Sequence, residues 1–581
     1  MLHLRSTCLL LLSLLLLAHP DSDAQGFLRV NGKQIVNEKG QNVLLRGVGL
    51  GGWMLQEGYM LRVNGEGMQH KIRSRIVELI GEDSTKAFYD AWLANHTRKV
   101  DIDSMKAWGF NSVRLPMHYN LYTLSAEQEP EPGKQTWLEK GFQMTDKLLA
   151  WCKANKIYLI LDLHAAPGGQ GNDLNIADRD PSKPSLWESE GNRQKTVALW
   201  RKLAERYANE PWIGGYDILN EPNWGFADLK NDKNGLKETG NQPLKQLMVD
   251  ITKAIREVDN KHIIIIEGNG WGNNYNGILP PWDKNMVLSF HKYWNFNTQD
   301  AIKHILQTRD TYNVPVWLGE TGENSNVWFT EAVRLLETNN IGWAWWPLKK
   351  LGNNNPMQIP SNKEYDKVLE YWAGKGPKPT AVEAWKGLME LAAATKLENT
   401  VIKRDVLDAL FRQPFSRATI PFKKNVVRNE AIVKAVDYDL GSNGAAYFDT
   451  DTADYHISNG SRGGNRGRVY RNDGVDIAAD PANDSYYVTN SEAGEWLQYT
   501  IDVVKAGNYH LKLNCNPAKE IAKLSVQVNG NGTKQLPVAS TTGWQSLEVK
   551  DITLKKGSNS LRIYIDEGEM SIRDIQFTAV E

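Results

Sequence analysis

The sequence predicts a (β/α)8 TIM barrel, of class α/β, followed by an all-β sandwich of the jelly-roll kind. Between residues 40 and 350, eight short β-rich runs recur, separated by amphipathic stretches, which is the pattern of parallel β/α units. After about residue 425 the composition changes to Gly, Asn, Asp and Thr turns between short period-two strands. The chain has 581 residues. At about 150 residues per domain that length allows about four domains, and it reduces to two once one of them is a barrel that outgrows this rule.

Met1 to Arg5 is a short basic start, and the Leu-rich run from Thr7 to Ala18 is too short to span a bilayer. With the small residues Ser22 and Ala24 behind it, residues 1–24 are expected to be a signal peptide, and the product to be secreted, extracellular or periplasmic. An N-terminal anchor is the alternative. The expected strands are Val43 to Gly49, Ser112 to Pro116, Ile157 to His164, Gly215 to Asn220, His262 to Glu267, Met286 to His291, Pro315 to Glu320 and Gly342 to Trp346. Trp137 to Asn155 and Arg193 to Tyr207 repeat apolar residues at helical spacing between them. An open doubly wound sheet is the competing topology, but no Gly-x-Gly-x-x-Gly turn follows the first strand. Ala381 to Leu397 reads as the last barrel helix, which gives a barrel domain over 25–398, a connector over 399–427 and a sandwich over 428–581. Expected sandwich strands include Trp496 to Val503, Tyr509 to Asn514, Leu524 to Val528 and Leu561 to Ile565.

Lys plus Arg number 68 against 69 Asp plus Glu, a net charge of -1, which excludes nucleic acid or an acidic membrane as a partner held by bulk electrostatics. No later stretch is apolar enough for a membrane helix, and a monomer is expected. Cys152 and Cys515 fall in different domains and are expected as free, buried thiols. Of the 21 Trp, only Trp496 and Trp544 lie after residue 390, so flat apolar surface is concentrated in the barrel.

Barrel active sites sit at the C-terminal ends of the strands, and two carboxylates stand there. Glu221 closes Tyr-Asp-Ile-Leu-Asn-Glu at the fourth strand and Glu320 closes Val-Trp-Leu-Gly-Glu at the seventh, on opposite sides of an eight-stranded barrel. A lone Glu is usually a solvated charge, but one that directly follows a buried apolar run is costly unless it has work to do. Two carboxyls facing each other across one bond are the equipment of a retaining glycosidase. Arg114, His164, Asn220, His291, Tyr293 and Trp346 end other strands as candidate substrate-binding residues. Arg114 is placed to hold the nucleophile ionised, Asn220 to bond a sugar 2-hydroxyl and Trp346 to floor a sugar ring. Asp162 reads as structural, and Trp343 and Trp345 as core. Trp53, Trp224, Trp271 and Trp294 lie just past strand ends as possible further subsites. His164 and His291 alone make too few ligands for a metal.

Together these residues resemble family 5 of the glycoside hydrolases, the cellulase family, over about residues 27 to 390. The resemblance implies a double displacement with Glu221 as acid and base and Glu320 as nucleophile, needing no metal or organic cofactor. Arg46-Gly47-Val48-Gly49-Leu50-Gly51-Gly52-Trp53 and Asp162-Leu163-His164-Ala165-Ala166-Pro167-Gly168 are similar to the exo-β-1,3-glucanase branch. Endo-β-1,4-glucanase (cellulase) action on the same site, transglycosylation, and a non-catalytic carbohydrate-binding protein are the other readings. Residues from about Arg428 to Phe577 resemble a family 6 carbohydrate-binding module, through Gly474-Val475-Asp476-Ile477, the run Glu492 to Thr500, and Thr542-Gly543-Trp544. Asn490 stands where that module usually offers an aromatic, and Lys434 and Val436 stand at its usual calcium-site glutamates, so Trp544 is the platform the resemblance leaves. The expected partner is a β-glucan polysaccharide or oligosaccharide.

Overall fold

The computed structural model describes residues 26–293, 295–450, 469–518, 521–532, 535–539 and 543–580. The expected signal peptide and Trp294 therefore lie outside the described residues. Eight parallel strands close into a barrel: β1 (Arg46–Gly49), β2 (Ser112–His118), β3 (Tyr158–Ala165), β4 (Ile213–Asp217), β5 (Ile264–Glu267), β6 (Met286–Lys292), β7 (Val316–Gly322) and β8 (Gly342–Trp346). They pair in chain order, and β8 joins both β7 and β1. Every residue of β2 and β3 is buried, which is why these strands read as unbroken runs and not as alternation.

Helices cover the barrel by their apolar stripes. In Gln242–Arg256 the buried residues Leu244, Leu247, Met248, Ile251 and Ile255 follow the helical repeat, and Pro243 opens the first turn. The Ser189 hydroxyl accepts the Asn192 N–H to cap Glu190–Tyr207, and Ser325 caps Asn326–Thr338 likewise.

The end of the barrel differs from expectation. The helix Ala381–Ala394 packs with Gln69–Ile80, Glu82–His96 and Lys363–Trp372 around a core of its own that includes Ile72, Phe88, Trp92, Leu388 and Leu391. The helix that follows β8 onto the barrel wall is Arg404–Phe411, inside the stretch expected to be a connector. Its Val406, Ala409 and Leu410 join the barrel core, and the Phe411 ring lies 4.9 Å from that of Phe110 and 5.8 Å from that of Trp343. Eight residues are too few for a periodic signal to outweigh the surrounding charges and prolines.

The C-terminal part is a sandwich of two largely antiparallel sheets. It takes in Asn425–Val427, which pairs parallel with Trp496–Val503, before the expected start. Val433, Leu511, Ile563 and Ile572 are among its buried core residues. Cys152 and Cys515 are free and buried. Among the described residues no helix is long and apolar enough to cross a membrane.

Candidate active site

Glu320 projects from β7, and Glu221 lies four residues past β4, where its backbone φ is +42°. A non-glycine residue in this left-handed region costs roughly 1–3 kcal/mol, which the surroundings must offset. They do so by pinning the turn on both sides. The Glu221 N–H donates to Glu267 Oε2 at 2.7 Å, and its carbonyl accepts from Asn223 Nδ2 at 2.9 Å. A carboxylate oxygen of Glu221, one of Glu320 and a ring nitrogen of His291 all lie within 4.8 Å of one another. His291 Nδ1 is 2.6 Å from Glu221 Oε1 and 3.7 Å from Glu320 Oε2, and its Nε2 is 3.2 Å from Glu267 Oε1. Both imidazole nitrogens thus face carboxylates. Burial opposes charge on His291, but Glu267, Glu320 and Glu221 outweigh it and push its pKa well up.

Arg114 lies fully buried beneath the pair. Its guanidinium donates to Glu320 Oε1, to Asp217 Oδ2 at 2.9 Å, to Asn220 Oδ1 at 2.7 Å and to Glu267 Oε1 at 3.1 Å. The Tyr293 hydroxyl donates to the other Glu320 oxygen at 3.0 Å. Burial raises Glu221 to about 7, against the pull of His291. Glu267 moves the other way: burial resists, but His291 and Arg114 bring it to about 2. Burial lowers His164 to about 3, so its ring is neutral. With Nδ1–H donating to Asp162 Oδ2 at 2.8 Å, His164 Nε2 is left as an acceptor 3.4 Å from Asn220 Nδ2. The Asn220 amide is held between this ring and Arg114.

Trp346 is buried beside this cluster. Its ring stacks on His164 at 5.1 Å and 11°, and its N–H donates to the Tyr59 hydroxyl at 3.0 Å. The glycines after β1 make room for it, since a Cβ on Gly49 would lie 2.4 Å from the indole and one on Gly51 2.8 Å. Glu57 is buried opposite, 4.0 Å from His164 Nε2, and burial together with Glu320, Glu323 and Glu221 raises it well above the usual carboxylate range. The loop after β3 meets the loop after β4 where Asn172 N–H donates to Asn223 O at 2.9 Å and Asp173 N–H to Asn223 Oδ1 at 2.7 Å. Trp271 extends from the β5 loop to hydrogen-bond Asp173. At the rim Phe296 is 63% exposed.

Seven of the eight residues singled out first, Glu221, Glu320, Arg114, His164, Asn220, His291 and Tyr293, form one connected polar cluster, and Trp346, the eighth, lies against it. Trp271 lies next to the Glu221 turn, its backbone N–H donating to Pro222 O at 3.1 Å. Trp53 does not: it is 3% exposed in the barrel core, its N–H bound to Leu93 O at 2.8 Å. Trp224 is also buried, its ring under the Arg179 guanidinium at 5.0 Å. Sequence reasoning missed Glu267, Glu57, Tyr59 and Asp173. Glu267 carries the signal that found Glu221 and Glu320, a carboxylate ending the apolar run Ile-Ile-Ile-Ile-Glu. In the module, Trp544 is half-buried, with Arg573 over its ring at 4.0 Å and Tyr487 against its edge at 5.2 Å.

Residues 70–352 match the model of Cellulase (glycosyl hydrolase family 5), and residues 471–576 that of Carbohydrate binding module (family 35). The module match thus replaces the family 6 expected from the sequence. A beta-xylosidase of Phanerodontia chrysosporium is 24% identical over 399 residues, 62% of this chain and 78% of that protein. Endoglucanase C of Acetivibrio thermocellus is 27% identical over 231 residues, 39% of this chain and 58% of its own. A probable glucan 1,3-beta-glucosidase A of Aspergillus clavatus is 26% identical over 274 residues, 46% and 60%. The chain therefore spans less than two thirds of the length of the last two. It is a glycoside hydrolase whose residues 70–352 are similar to glycosyl hydrolase family 5 and whose residues 471–576 are similar to carbohydrate-binding module family 35.

Proposed function

We propose that the chain hydrolyses a β-linked glucan by retaining double displacement, acting from the chain end on β-1,3 linkages. The observation that supports this most directly is the approach of the Glu221 and Glu320 carboxylates to within 4.8 Å. Retention needs carboxyls about 5–5.5 Å apart, whereas inversion needs about 6.5–9.5 Å to seat a water between acid and base. Glu320, aligned by Arg114 and Tyr293, attacks the anomeric carbon while Glu221 gives its proton to the departing glycosidic oxygen. In the second step Glu221, now a carboxylate, takes a proton from water, and the resulting C–O bond displaces Glu320. A Glu221 raised to about 7 carries its proton at mildly acidic pH, as the first step requires. Asn220 serves the sugar 2-hydroxyl, Trp346 stacks under the ring, and Glu57 and Tyr59 receive other hydroxyls.

Exo action is supported by the junction of the β3 and β4 loops, reinforced by the Trp271–Asp173 bond, which walls one side of the site as a pocket requires. The module's partner on this reading is the same polysaccharide, and export places the enzyme where polysaccharide is found. Replacing Glu320 with Gln should abolish turnover of an aryl β-glucoside while laminarin binding persists, and unchanged turnover rejects the assignment. Early digestion of laminarin should release only monosaccharide. Mixed oligomers there, or preference for carboxymethyl cellulose, would establish endo-β-1,4 action instead, and products longer than the substrate would reveal transglycosylation.

A further inference from the structure

The strand that carries Glu320 ends in a turn held from the module. β7 finishes at Gly322, and Glu323, Asn324 and Ser325 lead into the helix Asn326–Thr338. Asn472, at the start of the module, donates from Nδ2 to Asn324 O at 2.8 Å and to Asn326 Oδ1 at 3.1 Å, while its carbonyl accepts the Asn326 N–H at 2.9 Å. The Asn326 amide donates in turn to Asp473 Oδ1 at 2.9 Å and to Asp405 Oδ2 at 3.0 Å, and Asp405 Oδ2 also takes the Asn472 N–H at 2.6 Å. All four side chains are at most 2% exposed. Arg471 braces the far side, donating to Asp473 Oδ2 at 2.8 Å with its guanidinium 3.6 Å over the Tyr438 ring.

The same segment holds a second loop. Asn353 Nδ2 donates to Arg471 O at 3.3 Å, three residues beyond Lys350, whose Nζ pairs with Glu323 Oε1 at 2.5 Å. Lys350 lies 5.5 Å from the Tyr59 ring, and Tyr59 receives the Trp346 N–H. Residues 471–473 therefore fix two loops that meet beside the sugar-ring floor. A dry polar cluster such as this costs more than an apolar contact unless every group is paired, and what it gains is orientation.

We propose that Asn472 is a positioning residue for Glu320: the module is a structural part of the catalytic centre, holding the turn after β7 so that the nucleophile meets the anomeric carbon. This rests on Glu320 being the nucleophile. Displacement of a reacting group by about 1 Å can cost on the order of a hundredfold in rate. The full chain carrying Asn472→Ala is assayed on an aryl β-glucoside, with active sites counted by a fluorosugar that traps the nucleophile covalently, so that misfolded protein does not enter the rate. The kcat per trapped site should fall tenfold or more, with KM within twofold. Lys523→Ala, at an exposed ion pair elsewhere on the module, should leave both unchanged. If Asn472→Ala does not accumulate, Asp473→Asn, which keeps the volume, is read the same way. A wild-type kcat per site in the variant measured overturns the positioning role while an inactive Glu320→Gln keeps the nucleophile assignment. An active Glu320→Gln overturns both.

Discussion

On the proposed mechanism the pH dependence of the reaction is set by Glu221 and His291, and it can be moved without removing either of the proposed catalytic carboxyls. Burial raises Glu221 to about 7 even though His291 opposes it from 2.6 Å. As the proposed acid Glu221 must be protonated, so kcat/KM should hold below pH 7 and fall as pH rises through about 7. His291→Asn keeps a donor beside Glu221 Oε1 but removes the cation. Two unit charges about 4 Å apart at an effective dielectric of about 20 interact by about 4 kcal/mol, and one pH unit is about 1.4 kcal/mol, so the ceiling on the change is about three units. A rise of about one to three units in the alkaline limb is therefore expected. The measurement is kcat/KM for an aryl β-glucoside with a poor leaving group, from pH 4 to 10 at constant ionic strength. The height of the plateau will also fall with the loss of the ring, but the position of the limb carries the test. A limb that stays in place or moves to lower pH refutes the pairing as described.

Glu57→Ala removes a buried polar group proposed to face the sugar, and since a hydrogen bond to a neutral group is worth about 0.5–1.5 kcal/mol, kcat/KM should drop by about twofold to tenfold; wild-type kinetics would take Glu57 out of the subsite. Phe296→Ala trims an exposed rim ring, worth about 1 kcal/mol as a stacking platform, so KM for laminarin oligosaccharides should rise about fivefold with aryl glucoside kinetics unaffected. Equal effects on both substrates would argue against an aglycone role. Lys349 is fully buried, donating to Asp101 Oδ1 at 2.7 Å and to the His96 and Thr395 carbonyls at 2.6 and 2.8 Å. Lys349→Met strands the Asp101 charge and should cost about 3–5 kcal/mol in a urea titration; a loss under 1 kcal/mol would mean that Asp101 finds another partner.

What could be read from the sequence, and what could not, divides along physical lines. The eight strands were legible because parallel strands covered on both faces are apolar throughout and stop at a polar residue. That edge also marks where a functional side chain emerges, which is why Glu221, Glu320, His164 and His291 could be picked out together. Proximity to a strand end does not give direction, however. Trp53 lies just past β1 as Trp346 ends β8, yet one indole bonds Leu93 O in the barrel core and the other stacks on His164 and bonds the Tyr59 hydroxyl. Glu57 and Asp173 stand on loops and Tyr59 in the single 3-10 turn Gly58–Leu61, too short for periodicity, and they join the site through contacts with residues distant in sequence. The family 35 match rests on about a hundred residues of sandwich whose strands were legible but whose ligand face was not.

The charges of the site bear on how one site could hold both the acid and the nucleophile proposed. Five carboxyls, Asp162, Asp217, Glu221, Glu267 and Glu320, gather around two cations, Arg114 and His291. Five negative charges on two positive ones would be prohibitive in a buried site, so protons must remain on some of them. Burial selects which. It pushes Asp162 and Asp217 well up despite Arg114, and it raises Glu221, while Glu267, facing both cations, is brought down to about 2. Burial thus favours the neutral form of Asp162, Asp217 and Glu221, while Arg114 and His291 hold Glu267 as a carboxylate. On the proposed mechanism Glu221 gives up its proton as Glu320 forms the new bond to the sugar. The net charge of the cavity is thereby held constant through the glycosylation step.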